Sequence, residues 1–417
     1  MTLAEELKAR RLIEHSSTKP EKILGTPRTV YFGVDPTADS LHVGHLVPLL
    51  LMKRLGEAGN KLIFLVGGGT GSIGDPKEGG ERTMLDEKTV AANTRALKSQ
   101  LKRILGNSSF KMLDNAAWLT GVKLLPFLRD IGKHFTINDL IKRDLIKRRI
   151  ETPDESISYT EFSYALLQGY DYLTLCEKYG CDLQVGASDQ WTNILSGVDL
   201  IHKKLGGEVY AFTVPLVTDI SGKKFGKSEG NAVWLDGKKT SSFQFYQFWI
   251  NLPDANVEKY LKVYTFLPLN EIAILMELHR RSPGERQAQE TLARLVTELV
   301  HGPAAVAQAA AATDALFGDT PFAELSRDAL AVALAEAPSV VLKKRDVTNG
   351  TPLADALVVG GLASSKSDAR RLISGKGITL SGMTIENPDQ EVHLGDFTNG
   401  YALVRKGKQG VCILVLK

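Results

Sequence analysis

Two histidines one helical turn apart are the first residues whose types and spacing suit chemistry. They belong to the H-V-G-H motif of residues 42–45, which follows a predicted strand and opens a predicted helix with Ser40 as its expected N-cap. Unpaired backbone N–H groups at a helix N-terminus attract phosphate, the imidazoles add donors, and Gly44 leaves room for a flat base. The motif therefore predicts a nucleotide-phosphate site. Ordinary surface histidines are the alternative, and zinc is disfavoured because no third ligand accompanies the pair.

A lysine-rich motif, K-K-F-G-K-S over residues 223–228, is the second candidate for phosphate binding. It falls one residue short of a Walker P-loop, because Gly222 and Gly226 enclose three residues and the P-loop requires four. The motif is either a solvated loop or a source of mobile cations that close over a polyphosphate as charge develops.

A glycine-rich turn follows the second predicted strand. Residues 69–74 match G-x-G-x-x-G, yet Asp75-Pro76 comes next, where a dinucleotide-binding fold would continue a helix. A dinucleotide site is therefore disfavoured. The turn predicts either backbone that lies close to a ligand, with Asp75 at the carboxyl end of a strand, or only a tight turn.

Polar side chains recur along one face of a predicted helix over residues 161–172. Tyr164, Gln168 and Asp171 are spaced by four and three residues, which places them in one narrow sector of the helix. Because the stripe contains an aromatic residue and no Lys or Arg, it is either the wall of a ligand pocket or a solvated face.

Residues 182–190, D-L-Q-V-G-A-S-D-Q, predict a buried strand whose polar end suits a sugar or an amino acid. A helix capped by Ser188 is the alternative there.

The elements that must position these residues alternate between strand and helix. Predicted strands lie at 29–34, 61–66, 184–186 and 214–219, and predicted helices lie within 1–15 and at 46–58 and 161–172. This alternation predicts an α/β domain with a mostly parallel sheet over residues 1–240. Helical patterns without strand signals then predict an α-helical domain over 241–317, a linker over 318–350 and a small third domain over 351–417.

Composition excludes several broad classes. The 417 residues are 43% hydrophobic and 24% charged, which is typical of globular proteins, and no apolar stretch approaches the ~18 residues of a membrane span. The net charge of +3 indicates that any nucleic-acid contact is local. Three cysteines without C-x-x-C spacing predict reduced thiols, and the N-terminus has no signal-peptide pattern, so the expected location is cytoplasmic.

The order of these motifs resembles that of class I aminoacyl-tRNA synthetases, specifically the bacterial-type tyrosyl-tRNA synthetases. H-V-G-H and K-F-G-K-S resemble the family's ATP signatures H-I-G-H and K-M-S-K-S, and the run Y-F-G-V-D-P-T at 31–37 and the polar stripe resemble its tyrosine site. The resemblance covers nearly the whole chain and implies a Rossmann-like catalytic domain. It implies activation of L-tyrosine by ATP to tyrosyl-adenylate and pyrophosphate, and then transfer to the 3′-terminal ribose of tRNA(Tyr). A tryptophanyl homologue and a catalytically inactive RNA-binding protein on the same scaffold are the alternatives.

The resemblance also implies a role for each residue of a tyrosine pocket. Tyr31 and Asp171 would bond the substrate hydroxyl, and Gln190 would lie near the substrate carboxylate. The α-ammonium would be held by Tyr164, Gln168 and Asp75. Simple energetics agree, because a carboxylate beside an ammonium forms a charge-assisted hydrogen bond and a buried site for a phenol leaves polar groups unpaired when phenylalanine enters.

For ATP the resemblance implies a second set of residues. The catalytic groups at the phosphates would be Thr37, His42, His45, Lys224 and Lys227. The other ATP contacts would be Gly33, Asp35, Gly44, Gly186, Asp189 and Ser228. No general base is required, because the tyrosine carboxylate is itself the nucleophile. Mg²⁺ would be bound through the ATP phosphates and water, without a protein cage.

Three further positions are less firmly tied to this scheme. Lys77 and Arg82 are additional candidates for contact with the ATP phosphates. Ala187 departs from the family pattern, which commonly has a second glycine at this point. The departure bears on how closely the backbone approaches the adenylate.

The C-terminal region resembles the S4 RNA-binding domain of the same enzymes. S-K-S-D at 365–368 predicts a capped helix, and residues 378–385 predict a hairpin. The expected tRNA contacts are Lys366, Arg370, Arg371 and Lys376, with a solvated basic helix as the alternative. A second basic run at 142–149 either reaches an acceptor stem or forms an exposed helix. The family further implies a homodimer joined through a segment at about 100–180, and no membrane or DNA partner is expected.

Overall fold

A computed structural model describes residues 1–76, 85–153, 155–217, 227–228, 231–318, 320–407 and 410–417. Contacts divide the chain into two units. The first contains Met1–Lys239 and Pro253–Ala288, and the second contains Thr240–Leu252 and Gln289–Lys417. Among the described residues, none of the helices combines the length and apolar character that crossing a membrane requires.

A six-stranded sheet forms the centre of the first unit. Its strands are β1 (His15–Ser16), β2 (Thr29–Val34), β3 (Lys61–Val66), β4 (Phe110–Asp114), β5 (Leu183–Ala187) and β6 (Tyr210–Val214). They follow the order β1-β6-β5-β2-β3-β4, with β2 to β6 paired in parallel and β1 antiparallel to β6. The long buried runs of β3 and β6 are typical of parallel strands covered on both faces. The predicted α/β class with a Rossmann-like sheet is confirmed.

The connections between these strands are mainly helical. The helices are α1 (Leu3–Ala9), α2 (Pro20–Leu24), α3 (Val43–Glu57), α4 (Glu87–Leu105), α5 (Ala116–Leu119), α6 (Leu124–Asp130), α7 (Ile137–Leu140), α8 (Asp144–Glu151), α9 (Tyr159–Tyr179) and α10 (Trp191–Leu205). Side chains of β2 and β3 form one buried cluster with those of α9 and α10, and its members include Tyr31, Ile63, Tyr172 and Leu200. This cluster fixes α9, which carries the polar stripe, against the sheet.

The predicted strands agree with the structure except at one place. β2 and β3 have the predicted bounds, and β5 extends the predicted 184–186 by one residue at each end. The strand predicted at 214–219 was wrong, because the strand ends at Val214. Pro215 has no N–H for a sheet hydrogen bond, and the buried run that forms the strand lies before it. Residues 218–219 lie outside the described residues.

A short hairpin and a helical stretch follow. The hairpin consists of β7 (Lys227–Ser228) and β8 (Asn231–Ala232). The helices are α11 (Ser242–Ile250), α12 (Asp254–Tyr264), α13 (Leu269–Arg281), α14 (Gln287–His301) and α15 (Pro303–Phe317). Residues 241–317 are all described and contain no strand, as predicted. Contacts assign α12 and α13 to the first unit and α11 and α15 to the second, so the expected domain boundaries stay predictions.

The end of the chain forms a small α+β body within the second unit. Its elements are α16 (Arg327–Glu336), β9 (Ser339–Leu342), α17 (Lys344–Thr348), β10 (Thr351–Pro352), α18 (Leu353–Val359), α19 (Lys366–Ser374), β11 (Ile378–Leu380), β12 (Met383–Thr384), β13 (Glu391–Val392), β14 (Tyr401–Lys406) and β15 (Gly410–Leu416). The main sheet has the order β12-β11-β14-β15-β9, and β10 pairs with β13. Leu357 of α18 and Ile373 of α19 belong to its buried core. β9 comes from the segment expected to be a linker, yet it pairs in parallel with β15.

Candidate active site

Strands β2 and β5 lie side by side, although the chain leaves them toward opposite edges of the sheet. From β2 it continues to β3 and β4, and from β5 it continues to β6, so the loops at the carboxyl ends of the two strands diverge. Such a switch point leaves a crevice for a ligand in open α/β sheets. A cavity of about 390 Å³ opens here, lined by residues of β2, β5, α3 and α9.

Part of this cavity contains buried polar atoms without partners. Tyr31 and Gln184 are neighbours in the register of β2 and β5, and they are 1% and 3% exposed. Among the described residues, the Tyr31 hydroxyl and the Gln184 Oε1 atom have no hydrogen-bond partner. Leaving a buried polar group unpaired costs about 1–3 kcal/mol. A ligand with a polar group at this position would recover that energy.

Asp171 of α9 is a buried carboxyl in the same wall of the cavity. It is 3% exposed, and it accepts hydrogen bonds from Trp118 Nε1 at 2.7 Å and from Asn115 Nδ2 at 2.9 Å. Burial raises the pKa of Asp171 to about 7, although both hydrogen bonds act in the opposite direction. Burial, and secondarily the charge of Asp171, raise the pKa of the Tyr31 phenol well above its usual value. Tyr31 therefore stays protonated, and a carboxyl beside this hydroxyl suits a hydroxyl-bearing ligand.

A chain of hydrogen bonds connects Asp171 with Asp35. Asn115 Nδ2 also donates to Thr70 Oγ1 at 2.9 Å, and Thr70 Oγ1 donates to Asp35 Oδ1 at 2.8 Å. The Tyr164 hydroxyl donates to Asp35 Oδ2 at 2.9 Å. This order of donors and acceptors fixes the side chains before any ligand binds.

Close packing supports the chain of hydrogen bonds from behind. A Cβ atom at Gly67 would lie 1.8 Å from Asp35 Oδ1 and 2.4 Å from Thr70 Oγ1. Any larger residue at this position would therefore displace Asp35, so the glycine is required by this close approach.

A further carboxylate, Asp75, lines the same cavity. Its Oδ2 atom accepts from Gln190 Nε2 at 2.8 Å, and its Oδ1 atom accepts from Asn193 Nδ2 at 3.0 Å. Burial, followed by Asp35 and Asp75, raises the pKa of Tyr164 well above its usual value, which shows how near these charges lie. Gln168 lines the same cavity. The predicted tyrosine-binding residues thus converge on one cavity: Tyr31, Asp75, Tyr164, Gln168, Asp171 and Gln190.

The H-V-G-H motif forms the first turn of α3. The prediction of Ser40 as N-cap was wrong, because the N-cap is His42. The Ser40 hydroxyl accepts instead from Gln100 Nε2 at 2.9 Å and from the Asp236 backbone N–H at 3.2 Å. Partners distant in sequence therefore replaced the local capping preference of serine.

The two histidines of this motif cap the helix together. His42 Nδ1 accepts from the Gly44 N–H at 3.0 Å, and His45 Nδ1 accepts from the His42 N–H at 3.3 Å. Because both Nδ1 atoms are acceptors, the neutral rings carry their protons on Nε2. Their ring centroids are 4.0 Å apart, and both residues line the cavity. Both imidazoles thus lie on the cavity wall at a helix N-terminus.

Backbone hydrogen bonds hold the segment after β8 next to these histidines. The Val43 N–H donates to the Val233 carbonyl at 3.0 Å, and the Leu235 N–H donates to the Leu41 carbonyl at 2.8 Å. This segment follows directly after β8, which pairs with β7, and β7 contains Lys227 and Ser228 of the motif. Lys224 lies outside the described residues, as do Lys77 and Arg82.

The other expected ATP contacts also line the cavity: Gly33, Asp35, Thr37, Gly44, Gly186 and Asp189. A Cβ atom at Gly33 would meet only ordinary contacts at 3.9–4.0 Å, so its absence enlarges the cavity. At Gly186 a Cβ atom would lie 2.9 Å from Ile194 Cδ1, so this glycine serves packing. Ala187 has φ −80° and ψ 160°, which is extended backbone that alanine adopts without strain.

Sequence reasoning missed several residues of this site. Asn115 and Trp118 follow β4, a strand that the sequence pattern did not reveal, so nothing placed them at the carboxyl edge of the sheet. Gln184 gave a signal that was available, namely a lone amide within a run of buried residues. Thr70 lies in the glycine-rich turn, where the motif predicts only a close approach of the backbone and no role for a side chain.

The expected tRNA contacts lie on the surface of the second unit. Ser365 caps α19 as predicted, and β11 and β12 form the predicted hairpin. Each of the four expected contacts has a carboxylate partner: Lys366 with Asp355 at 2.8 Å, Arg370 with Asp389 at 2.9 Å, Arg371 with Asp368 at 2.7 Å, and Lys376 with Glu386 at 2.7 Å. Any RNA phosphate must therefore compete with these carboxylates.

Comparisons with known proteins agree with this site. The family model for class I tRNA synthetases (W and Y) matches residues 24–318, and the model for a tyrosine–tRNA ligase SYY-like C-terminal domain matches residues 329–414. A tyrosine–tRNA ligase of Roseiflexus castenholzii is 46% identical and is covered over 98% of each chain. One of Anaeromyxobacter dehalogenans is 43% identical over 100% of this chain and 99% of the relative.

Solved structures give the same result at lower identity. A C-terminally truncated mitochondrial tyrosyl-tRNA synthetase of Coccidioides posadasii is 32% identical, with a TM-score of 0.66 over 74% of this chain and 91% of that chain. A tryptophanyl-tRNA synthetase of Plasmodium falciparum is 16% identical, with a TM-score of 0.53 over 72% of this chain and 84% of that chain, and it shares the fold alone. The models and the curated relatives together show that the chain belongs to the class I tRNA synthetases and, among them, to the tyrosine–tRNA ligases.

Proposed function

We propose that the cavity selects L-tyrosine by its phenol hydroxyl, which lies between Tyr31 and Asp171. The observation that carries this proposal is the buried Tyr31 hydroxyl, which has no partner among the described residues and lies near a buried carboxyl. Asp171 accepts a hydrogen bond from the phenol hydroxyl of the substrate. The Tyr31 hydroxyl donates to the oxygen of that substrate hydroxyl. Phenylalanine would leave these buried groups unpaired and is rejected on energetic grounds.

The amino-acid end of tyrosine is held by the polar groups on the other side of the cavity. Tyr164, Gln168 and Asp75 bind the α-ammonium, and the Asp75 carboxylate supplies a charge-assisted hydrogen bond. Gln190 lies beside the substrate carboxylate and orients it toward ATP. The support is that all of these side chains line a single cavity with the phenol-binding groups.

The opposite region of the cavity binds ATP. Gly33, Asp35, Gly44, Gly186, Asp189 and Ser228 contact the nucleotide. The substrate carboxylate oxygen forms a bond to the α-phosphorus as the bond to pyrophosphate breaks, so no proton has to be removed. Thr37 and the Nε2 donors of His42 and His45 stabilise the negative charge that develops on the phosphates, and Lys224 and Lys227 approach from the other side.

Mg²⁺ accompanies ATP in this proposal and neutralises phosphate charge. Among the described residues, no three His, Cys, Asp or Glu side chains are grouped so that they could hold a metal ion. The donors proposed at the phosphates are imidazoles, a hydroxyl and two lysine ammonium groups, whereas Mg²⁺ prefers carboxylate, phosphate and water oxygens. The ion is therefore held by the phosphates and water.

The rest of the chain serves tRNA(Tyr) and assembly. Residues 1–240 form the catalytic domain, 241–317 the helical anticodon-binding domain, 318–350 the linker and 351–417 the S4-like domain. In the S4-like domain, tRNA is contacted by Lys366, Arg370, Arg371 and Lys376.

A homodimer forms through the segment at about 100–180, in the cytoplasm. The support for the dimer is a set of large apolar side chains exposed in this segment: Leu124, Leu125, Ile137, Ile150 and Tyr159.

Amino-acid-dependent exchange of labelled pyrophosphate into ATP tests the assignment. Tyrosine should support exchange, whereas tryptophan and phenylalanine should not. Exchange with tryptophan and not with tyrosine would identify a tryptophanyl enzyme. A folded preparation that exchanges with no amino acid, yet binds RNA, would favour an inactive RNA-binding protein.

A further inference from the structure

The basic run at 142–149 divides into residues that face outward and residues that face inward. The Lys142 side chain is 76% exposed. Arg143, in contrast, is half-buried, and burial lowers its pKa to about 10. Its Nη1 atom donates to Asn193 Oδ1 at 2.7 Å, and its Nη2 atom donates to Ser196 Oγ. Arg143 is therefore turned toward α10.

Asn193 of α10 connects Arg143 with the cavity. Its Oδ1 atom accepts from Arg143, and its Nδ2 atom donates to Asp75 Oδ1 at 3.0 Å and lies 3.4 Å from Gln190 Oε1. A guanidinium only donates hydrogen bonds and a carboxylate only accepts them. The amide between them therefore has one favourable orientation, with its oxygen toward Arg143 and its nitrogen toward Asp75.

The same orientation holds the Asp75 carboxylate in place. One carboxylate oxygen accepts from Asn193 and the other accepts from Gln190 Nε2 at 2.8 Å. Without the guanidinium, only the contacts with Asp75 and Gln190 favour this orientation of the Asn193 amide, and the preference is weaker. An amide turned the other way would place its oxygen against the carboxylate, and Asp75 would move away from the position that faces the ligand.

We propose that Arg143 and Asn193 are positioning residues that orient Asp75 toward the α-ammonium of tyrosine. The inference rests on the proposed function, in which Asp75 binds that ammonium. Neither residue touches the substrate. Their effect falls on the amino-acid end of the ligand, because Gln190 also contacts Asp75 and Asn193, whereas the phenol and ATP contacts are made by other side chains.

The test compares Arg143→Met with Arg143→Lys and with Lys142→Met, an adjacent exposed control. Pyrophosphate exchange should show a KM for tyrosine raised about tenfold in Arg143→Met, with the KM for ATP unchanged. Arg143→Lys keeps a cationic donor and should recover part of the loss, and Lys142→Met should equal the unaltered chain. Inhibition by 4-methylphenol, which has the phenol but neither the ammonium nor the carboxylate, should be unchanged in every variant.

Asn193→Asp provides a second route if Arg143→Met folds poorly. This near-isosteric change keeps the acceptor for Arg143 and removes the donor to Asp75, so it should raise the KM for tyrosine selectively as well. Combining Arg143→Met with Asp75→Asn should cost no more than Asp75→Asn alone. Additive losses, an equal rise in the KM for ATP, or weaker binding of 4-methylphenol would overturn the positioning role.

The same measurements separate this inference from the function on which it rests. A tyrosine KM that is unchanged in Asp75→Asn would overturn the ammonium site itself, and the positioning role with it. A large effect in Asp75→Asn beside normal kinetics in both Arg143→Met and Asn193→Asp would overturn the positioning role only.

Discussion

The cavity of the first unit and helix α19 of the second unit hold their charges in opposite surroundings. In the cavity, Asp171 is 3% exposed and both of its carboxyl oxygens accept directed hydrogen bonds. On α19, Lys366 and Arg370 are exposed and pair with surface carboxylates. Unpairing a buried polar group is costly, whereas an exposed ion pair contributes about 0–1 kcal/mol. In the proposed function, tyrosine is thus selected by groups that are fixed in advance, and tRNA is bound by charges that exchange partners.

The strongest test of this contrast is Asp171→Ala. The substitution removes the proposed acceptor of the phenol, and it leaves the donors of Asn115 and Trp118 unpaired. The two losses together should lower kcat/KM for tyrosine activation by about a thousandfold or more. Pyrophosphate exchange with tyrosine measures this change directly.

Discrimination between tyrosine and phenylalanine is a second measurement on Asp171→Ala, with Asp199→Ala as its control. The ratio of kcat/KM for tyrosine to that for phenylalanine should fall steeply in Asp171→Ala. It should not change in Asp199→Ala, which removes an exposed carboxylate from α10. Near-normal adenylate formation in Asp171→Ala would refute the proposed phenol site.

Truncation after Glu336 removes the entire C-terminal sheet, β9 included, and leaves the cavity residues untouched. Exchange of pyrophosphate should stay within about twofold, whereas aminoacylation at limiting tRNA should fall on the order of a hundredfold, because several phosphate contacts are lost together. Both reactions can be measured on one preparation. Equal losses would show that the tail is part of the catalytic fold.

The buried carboxyl should also make stability depend on pH. Burial raises the pKa of Asp171 from 3.8 to about 7, so between these pH values the folded chain holds a proton that the unfolded chain has released. This contribution to stability is complete below about pH 4 and is lost as pH rises through 7. From pH 5 to 8 the free energy of unfolding should fall by on the order of 2 kcal/mol more in the unaltered chain than in Asp171→Asn.

Denaturant unfolding at several pH values measures that difference. All other titrating groups are common to both chains, so the comparison isolates Asp171. Curves that stay parallel from pH 5 to 8 would contradict the raised pKa.

The central parallel strands of the first unit could be predicted from local sequence patterns, whereas the edge strand β4 could not. β2, β3 and β5 are predictable because each is a short run of buried, mainly apolar residues. β4 is the edge strand, and four of its five residues are half-buried, so its sequence has neither a buried run nor a clear alternation. Missing β4 concealed Asn115 and Trp118, which orient Asp171.

Side-chain partners across long sequence distances were also beyond local reasoning. Ser40 has the residue type of an N-cap, but Gln100 engages its hydroxyl from 60 positions away. Arg143 lies within a run of charged residues that is typical of an exposed helix, yet its guanidinium donates a hydrogen bond to Asn193 of α10. The prediction of the polar stripe on α9 needed only helix periodicity, because the two spacings between its three residues place them in one sector of the helix.

The smallest expected effect comes from the exchangeable charges of the second unit, and its sign is the informative part. Arg370 pairs with Asp389 at 2.9 Å, so a tRNA phosphate that binds Arg370 must displace this carboxylate. Asp389→Asn removes the competitor and should strengthen tRNA binding by about twofold, whereas Arg370→Gln should weaken it by a few-fold and reduce the salt slope by about 1. Filter binding across a range of salt concentrations measures both. A weaker affinity in Asp389→Asn would mean that the ion pair shapes the binding surface, and tRNA recognition would then depend on fixed groups as tyrosine recognition does.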